Sequence, residues 1–204
     1  MSAIAVMPLP RAVIFDLDGT LTEPVLDFDA MRAEIGLPEG VPILEHLERV
    51  TAGERAHAEA VLLRHERAAI AQATLADGCA DLIARLRERQ IPMAILTRNV
   101  REVVETFARM FTFEFHAVFT REDGPPKPSP AGVLSLCSAM GVAPAHTLAV
   151  GDYKYDVIAG RDAGCRTVLV DRDGSAANDL VAWGSPDLVV KSLRELLPLF
   201  ASRK

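Results

Sequence analysis

Ala12-Val13-Ile14-Phe15 is an unbroken apolar run that stops abruptly at Asp16-Leu17-Asp18-Gly19-Thr20. Four apolar residues without alternation are the pattern of a strand covered on both faces, and the segment after them reads as the polar turn at its end. Working outward, runs of the same kind recur from residue 77 onward, separated by helical patterns. Strands are expected at 93–96, 117–119, 147–150, 167–170 and 188–190, and helices at 81–89, 99–110, 129–140 and 155–163. The helix ends carry matching chemistry. Asn99 offers an N-cap with Glu102 completing a capping box, Ser129 an N-cap followed by Pro130 at N1, and Gly141 and Gly164 stop their helices. This alternation predicts an α/β fold, a doubly wound and mainly parallel sheet covered by helices.

The spacing breaks once. Asp18 and Thr97 lie 79 positions apart, whereas Thr97 and Lys127 lie only 30 apart. A strand–helix unit needs a few tens of residues, so a surplus of about 50 sits after the first strand. Within it, 27–35, 41–50 and 53–74 have helical spacing. In the last, Ala56, Ala60, Leu63, Arg67 and Ile70 are expected on one face, with Leu62, Ala69 and Ala73 alongside. We therefore expect residues 1–22 and 77–204 to form the α/β core and 23–76 a helical insert. Charge follows the same boundary: 23–76 holds 10 acids against 5 arginines, and the rest 18 acids against 17 bases, so the insert carries −5 of the net −6.

An acidic surface of this kind argues against nucleic acid or anionic lipid as a partner. The longest stretch free of charged residues, 128–150, is interrupted by Pro130, Gly141 and Pro144, and reads as a helix, a break and a strand rather than a membrane span. No basic segment precedes the apolar residues 3–9, so no secretory signal is expected. Cys79, Cys137 and Cys165 have no paired spacing, which suits buried thiols in a reducing cytoplasm.

Polar residues stand at or just beyond the ends of the apolar strands: Asp16 with Asp18, Thr97, Lys127, and Asp152 with Asp156. In a parallel sheet those ends share one edge, where ligands bind. Asp16, Asp152 and Asp156 supply hard oxygens with no His or Cys beside them, which favours Mg²⁺. Several carboxylates can share a pocket with a phosphate only if positive charge offsets them, and Mg²⁺ with Lys127 would do so. Thr97 adds a hydroxyl. Asp16 is then placed to attack phosphorus, with Asp18 to protonate the leaving alkoxide and later accept a proton from water. Arg98 and Arg121 also follow strand ends, where a guanidinium can touch substrate or pair on the surface; Arg98 is carried as a candidate phosphate contact.

The string Phe15-Asp16-Leu17-Asp18-Gly19-Thr20-Leu21 resembles the first motif of the haloacid dehalogenase superfamily. Ile95-Leu96-Thr97-Arg98-Asn99 is similar to its second, Lys127-Pro128-Ser129-Pro130 to its third, and Gly151-Asp152 with Asp156 to its fourth. The resemblance spans essentially the whole chain. It implies a Rossmann-like core with Asp16 as nucleophile and Mg²⁺ ligand, and Asp18 as general acid/base and ligand through its backbone carbonyl. Thr97 and Lys127 would bind phosphate, Asp152 would be a metal ligand, and Asp156 a ligand or the partner of one. The insert resembles the small α-helical cap of phosphoglycolate phosphatase-like members. The expected activity is Mg²⁺-dependent hydrolysis of a small phosphorylated metabolite through an aspartyl-phosphate.

Other chemistries of the superfamily fit less well. Dehalogenases lack the second aspartate, which is present as Asp18. Phosphonatases need a cap lysine, and residues 19–126 contain no lysine. A sugar phosphomutase keeps all four motifs and stays open, as does a regulatory protein that binds phosphate without turnover. A response-regulator receiver lacks a cap and an acidic pair after its lysine. Tyr153 stands where the family often has serine. Among the insert's arginines, most are expected to pair with neighbouring glutamates.

Overall fold

The computed structural model describes residues 7–178, 180 and 182–201. The chain divides into two compact units, Met1–Pro24 with Thr74–Lys204, and Val25–Ala73.

The first unit is built on six strands: β1 (Ala12–Phe15), β2 (Met93–Leu96), β3 (Ala117–Phe119), β4 (Thr147–Gly151), β5 (Arg166–Val170) and β6 (Leu188–Val190). All neighbours are parallel, in the order β3-β2-β1-β4-β5-β6. Every residue of β1, β2 and β4 is buried, which is why these strands read as continuous apolar runs rather than alternating ones. Helices α6 (Ala131–Met140) and α7 (Lys154–Asp162) pack on the sheet, α6 against β1 to β3 and α7 against β4 and β5. One core joins Ile14, Ala94, Leu96, Phe119, Val133, Leu136 and Ala149. The strand order reverses between β1 and β4, so the crevice at their C-terminal ends is the switch point where such sheets bind ligands.

Between β1 and the second unit lies a kinked π-type turn, Leu17–Leu21, closed by a bond from the Thr22 N–H to the Leu17 carbonyl at 3.1 Å. The segments that leave and re-enter the α/β unit then pair: Thr22 bridges Leu75, and the Glu23 N–H donates to the Thr74 carbonyl at 3.0 Å.

The second unit comprises α1 (Phe28–Ile35), α2 (Ile43–Leu47) and α3 (Ala52–Ala71), with Met31, Ile43, Leu47, Ala58 and Leu62 at its centre. Asp27 caps α1 and a Thr51–Glu54 capping box opens α3. The face α3 buries is Ala58, Val61, Leu62, Glu66, Ala69 and Ile70; of the predicted set Leu62, Ala69 and Ile70 lie on it, whereas Ala56, Ala60 and Arg67 are exposed. Five of the first nine residues of α3 are alanine or glycine, so the apolar contrast that would define a face is weak there, and Glu66 on the buried side counts against the correct one. Of the insert's arginines, Arg64 pairs with Glu34 and Arg55 with Glu59 at 3.9 Å, the expected kind of partner, whereas Arg32 pairs with Asp29 at 2.7 Å.

Two predicted helix starts are corrected. The helix α5 (Arg101–Phe111) has Val100, not Asn99, at its N-cap, and no side chain of the cap residue bonds to it. Pro130 is the cap position of α6 rather than its first residue, with the Ser129 hydroxyl accepting from the Ala131 N–H at 3.3 Å. The remaining helix of the first unit, α4 (Cys79–Glu88), begins at Gly78, and the chain's final 3₁₀ segment, Leu193–Phe200, packs on it. Among the described residues no helix is long and apolar enough to cross a membrane.

Candidate active site

Register places the site residues. Phe15 lies opposite Ile95 of β2 and Val150 of β4, and the Asp16 N–H donates to the Val150 carbonyl at 2.9 Å. One residue beyond β1 and β2 stand Asp16 and Thr97, and Asp152 directly follows β4. Lys127 arrives from the loop between β3 and α6. Its ammonium donates to Asp16 Oδ1 and, at 2.5 Å, to Asp156 Oδ1. Residues 111 positions apart thus meet in a pocket where Lys127 is 4 % exposed.

Two glycines make the approach possible. Gly19 has φ +78°, and a Cβ there would lie 2.0 Å from Asp152 Oδ2, so the turn after β1 rests directly on that carboxylate. At Gly151 a Cβ would lie 2.1 Å from Asp156 Cγ. The free space lets Asp156 fold back over the end of β4, where its Oδ2 accepts from the Tyr153 N–H at 3.1 Å while Oδ1 holds Lys127.

Asp16, Asp152 and Asp156 each offer an oxygen, all within 4.8 Å of one another. One ammonium among these carboxylates leaves negative charge in surplus. Burial, reinforced by the charges of Asp156 and Asp152 and opposed by Lys127, raises Asp16 well above the usual carboxylate range. Burial and Asp156 push Asp152 up to about 7, against Lys127 and Arg172. For Lys127, burial alone would lower the pKa, but Asp156 and Asp16 raise it above its ordinary value, so it remains an ammonium. A set of close, hard, charge-surplus oxygens without nitrogen or sulfur suits a magnesium ion.

Asp18 sits beside this cluster, on the π-type turn. Its Oδ2 accepts from the side-chain amide of Asn99, and burial raises its pKa while that bond and Lys127 lower it. Thr97, buried at 3 % exposure, joins through the same residue: its Oγ1 accepts from the Asn99 N–H at 3.2 Å. Arg98 is half-buried, its guanidinium carbon 4.7 Å from the Tyr155 ring centroid. Tyr153 packs edge-on against Tyr155 at 5.1 Å, and Lys154 lies over both rings.

Two contributors escaped the sequence reading. Asn99 looked like a helix cap, yet its amide turns to Asp18. Arg172 belongs to none of the four motifs: it donates to the Gly19 carbonyl, and more weakly to that of Thr22 at 3.4 Å, and pairs with Glu23 at 3.5 Å. Both follow strand ends, the rule that found Asp16 and Thr97, and that position was the available signal.

The family profile described as haloacid dehalogenase-like hydrolase matches residues 10–164. A haloacid dehalogenase-like hydrolase domain-containing protein of Arabidopsis thaliana is 34 % identical over 200 residues, covering 91 % of this chain and 82 % of its own. A phosphoglycolate phosphatase of Chromobacterium violaceum is 31 % identical over 219 residues, covering 93 % and 96 %. In fold, a hydrolase from Pseudomonas syringae superposes with a TM-score of 0.79 at 20 % identity, covering 92 % of this chain and 96 % of that one. The four polar motifs, the parallel sheet that presents them and these similarities lead to one assignment: the chain belongs to the haloacid dehalogenase-like hydrolase family.

Proposed function

We propose that this phosphatase of the haloacid dehalogenase type hydrolyses a small phosphorylated metabolite, with Asp16 as nucleophile, in a Mg²⁺-dependent reaction. The observation that carries the reading is the junction of Asp16, Asp156 and Lys127 beside Asp152 at the β1/β4 switch point. Thr97, Arg98 and Lys127 are assigned to the phosphate. Asp16, Asp152 and Asp156 would hold Mg²⁺, together with the backbone carbonyl of Asp18. When bound, the ion supplies positive charge that keeps Asp16 ionised and offsets the phosphate.

In the first half-reaction an Asp16 carboxylate oxygen forms a bond to phosphorus as the ester P–O bond breaks, and Asp18 gives its proton to the departing alkoxide. In the second, water attacks the phosphorus of the aspartyl-phosphate, its proton passes to Asp18, and inorganic phosphate leaves with Asp16 restored. Lys127, fixed between two carboxylates, binds the phosphate without moving. The unit Val25–Ala73 is assigned the cap's task of selecting the leaving group. The three unbridged, buried cysteines support a reducing, cytoplasmic setting.

Phosphate release from an aryl phosphate and from a panel of phosphorylated metabolites tests the reading. Activity is expected with Mg²⁺ and lost with chelator, and Asp16→Asn is expected to lower kcat by at least about 10⁴-fold, as removal of a nucleophile does. Turnover by Asp16→Asn at the wild-type rate would refute it.

A further inference from the structure

We infer that Asn99 is the positioning residue for Asp18: its side-chain amide holds one carboxylate oxygen of Asp18 and so fixes the other as the oxygen that exchanges the proton. The inference rests on the hydrolytic reading, in which Asp18 is the acid/base.

The contact joins residues 81 positions apart, and Asn99 is 4 % exposed. Asn99 is itself anchored at the end of β2. Its N–H donates to Thr97 Oγ1 at 3.2 Å, and its carbonyl accepts from the Arg121 N–H at 3.2 Å. The amide is therefore presented from a backbone bend held by two hydrogen bonds. Asp18 needs such a restraint, because it sits in a kinked turn with extended backbone (φ −76°, ψ 128°) followed by left-handed Gly19. The side-chain amide nitrogen only donates, so Asp18 Oδ2 must accept. A proton on Oδ2 would face the amide N–H, and the acidic proton is thereby confined to Oδ1. An acid held with one oxygen committed and the other free gives up its proton in a single direction, and a misplacement of about 1 Å can cost 100-fold.

The test is a leaving-group series read in kcat/KM, which reports the step in which the ester bond breaks. Alkyl phosphates require a proton on the departing oxygen, whereas a nitrophenyl phosphate departs as a stable anion. Asn99→Ala is expected to lower kcat/KM about 100-fold for alkyl phosphates, the scale of a general-acid contribution, and only a few-fold for nitrophenyl phosphate. Asn99→Leu, close in volume but with no N–H to give and no added charge, is expected to show the same graded loss and covers the case in which the alanine variant folds poorly. Inhibition by inorganic phosphate should stay within about two-fold of wild type in both variants, because that affinity reads the phosphate site and not proton transfer. A loss of equal size across the series, or no loss, overturns the inference. A wild-type protein that releases no phosphate, or activity that survives Asp16→Asn, overturns instead the hydrolytic reading beneath it.

Discussion

At Gly19 a single missing Cβ decides whether Asp18 and Asp152 can share a site. Alanine there would need a left-handed φ of +78° and would put its methyl 2.0 Å from Asp152 Oδ2. The backbone strain is about 1–3 kcal/mol, and the carboxylate cannot yield far because Asp152 also belongs to the acidic cluster. Gly19→Ala is therefore expected to lower kcat by about 100-fold or more, the scale of a 1 Å displacement at a reacting centre. The protein should still fold, as circular dichroism would check; full activity would show that the turn tolerates a shift. Which residues gather at the site was legible wherever position alone identified them: Asp16, Thr97, Lys127, Asp152 and Asp156 follow apolar strands. Asn99 was not, because a polar residue before a helix satisfies the cap pattern equally well, and only the fold brings Asp18 within reach of it. Arg172 was hidden for a different reason: its partners are the backbone carbonyls of Gly19 and Thr22, which have no sequence signature.

The start of α5 shows the same limit at the level of an element. The sequence supplied Asn99 and Glu102 as a cap, but the first helical N–H, that of Arg101, donates to Glu122 Oε2 at 2.6 Å, from the loop beyond β3. That loop is held by its own bonds, with Asp123 accepting from the Thr120 N–H at 2.7 Å and pairing with Arg101 at 2.7 Å. A cap supplied from another element frees Asn99 for the site. Glu122→Ala is expected to destabilise the protein by about 0.5–2 kcal/mol, the usual worth of a cap. In a domain of this size that lowers the melting temperature by roughly 2–4 °C per kcal/mol. Glu122→Gln, which keeps an acceptor oxygen, should recover most of the loss; melting curves of the two variants make the comparison. Strands β1, β2 and β4 were readable because burial on both faces leaves an unbroken apolar run. The buried face of α3 was readable only in its second half, at Leu62, Ala69 and Ile70, since alanine marks a buried side too weakly to outweigh Glu66.

For the whole molecule, the acidic cluster sets how stability depends on pH and on a divalent cation. Burial, with Asp156, carries Asp152 from 3.8 to about 7, and burial also raises Asp16 and Asp18. A carboxyl with a higher pKa in the folded state binds more protons there than in the unfolded chain. Its favourable contribution is present below the unfolded value and is lost as pH rises toward the folded one. The exposed carboxyls of Glu34, Glu54, Asp77 and Asp173 are shifted down and act in the opposite sense, but theirs is lost only as pH falls through the ordinary carboxylate range. From about pH 5 to about pH 7 the buried site acids therefore govern the slope. Metal-free protein should melt at progressively lower temperature as pH is raised across that window. Magnesium binds the deprotonated carboxylates, so its addition should raise the melting temperature more at pH 7 than at pH 5, and Asp152→Asn should flatten both effects. Titration of histidines or of overall charge would leave the slope of Asp152→Asn equal to that of the wild type. Melting temperatures of the two proteins in chelator and in excess Mg²⁺ separate these causes, and a wild-type curve that is flat in pH and indifferent to magnesium would mean that the carboxylates of β1 and β4 do not form a cation site.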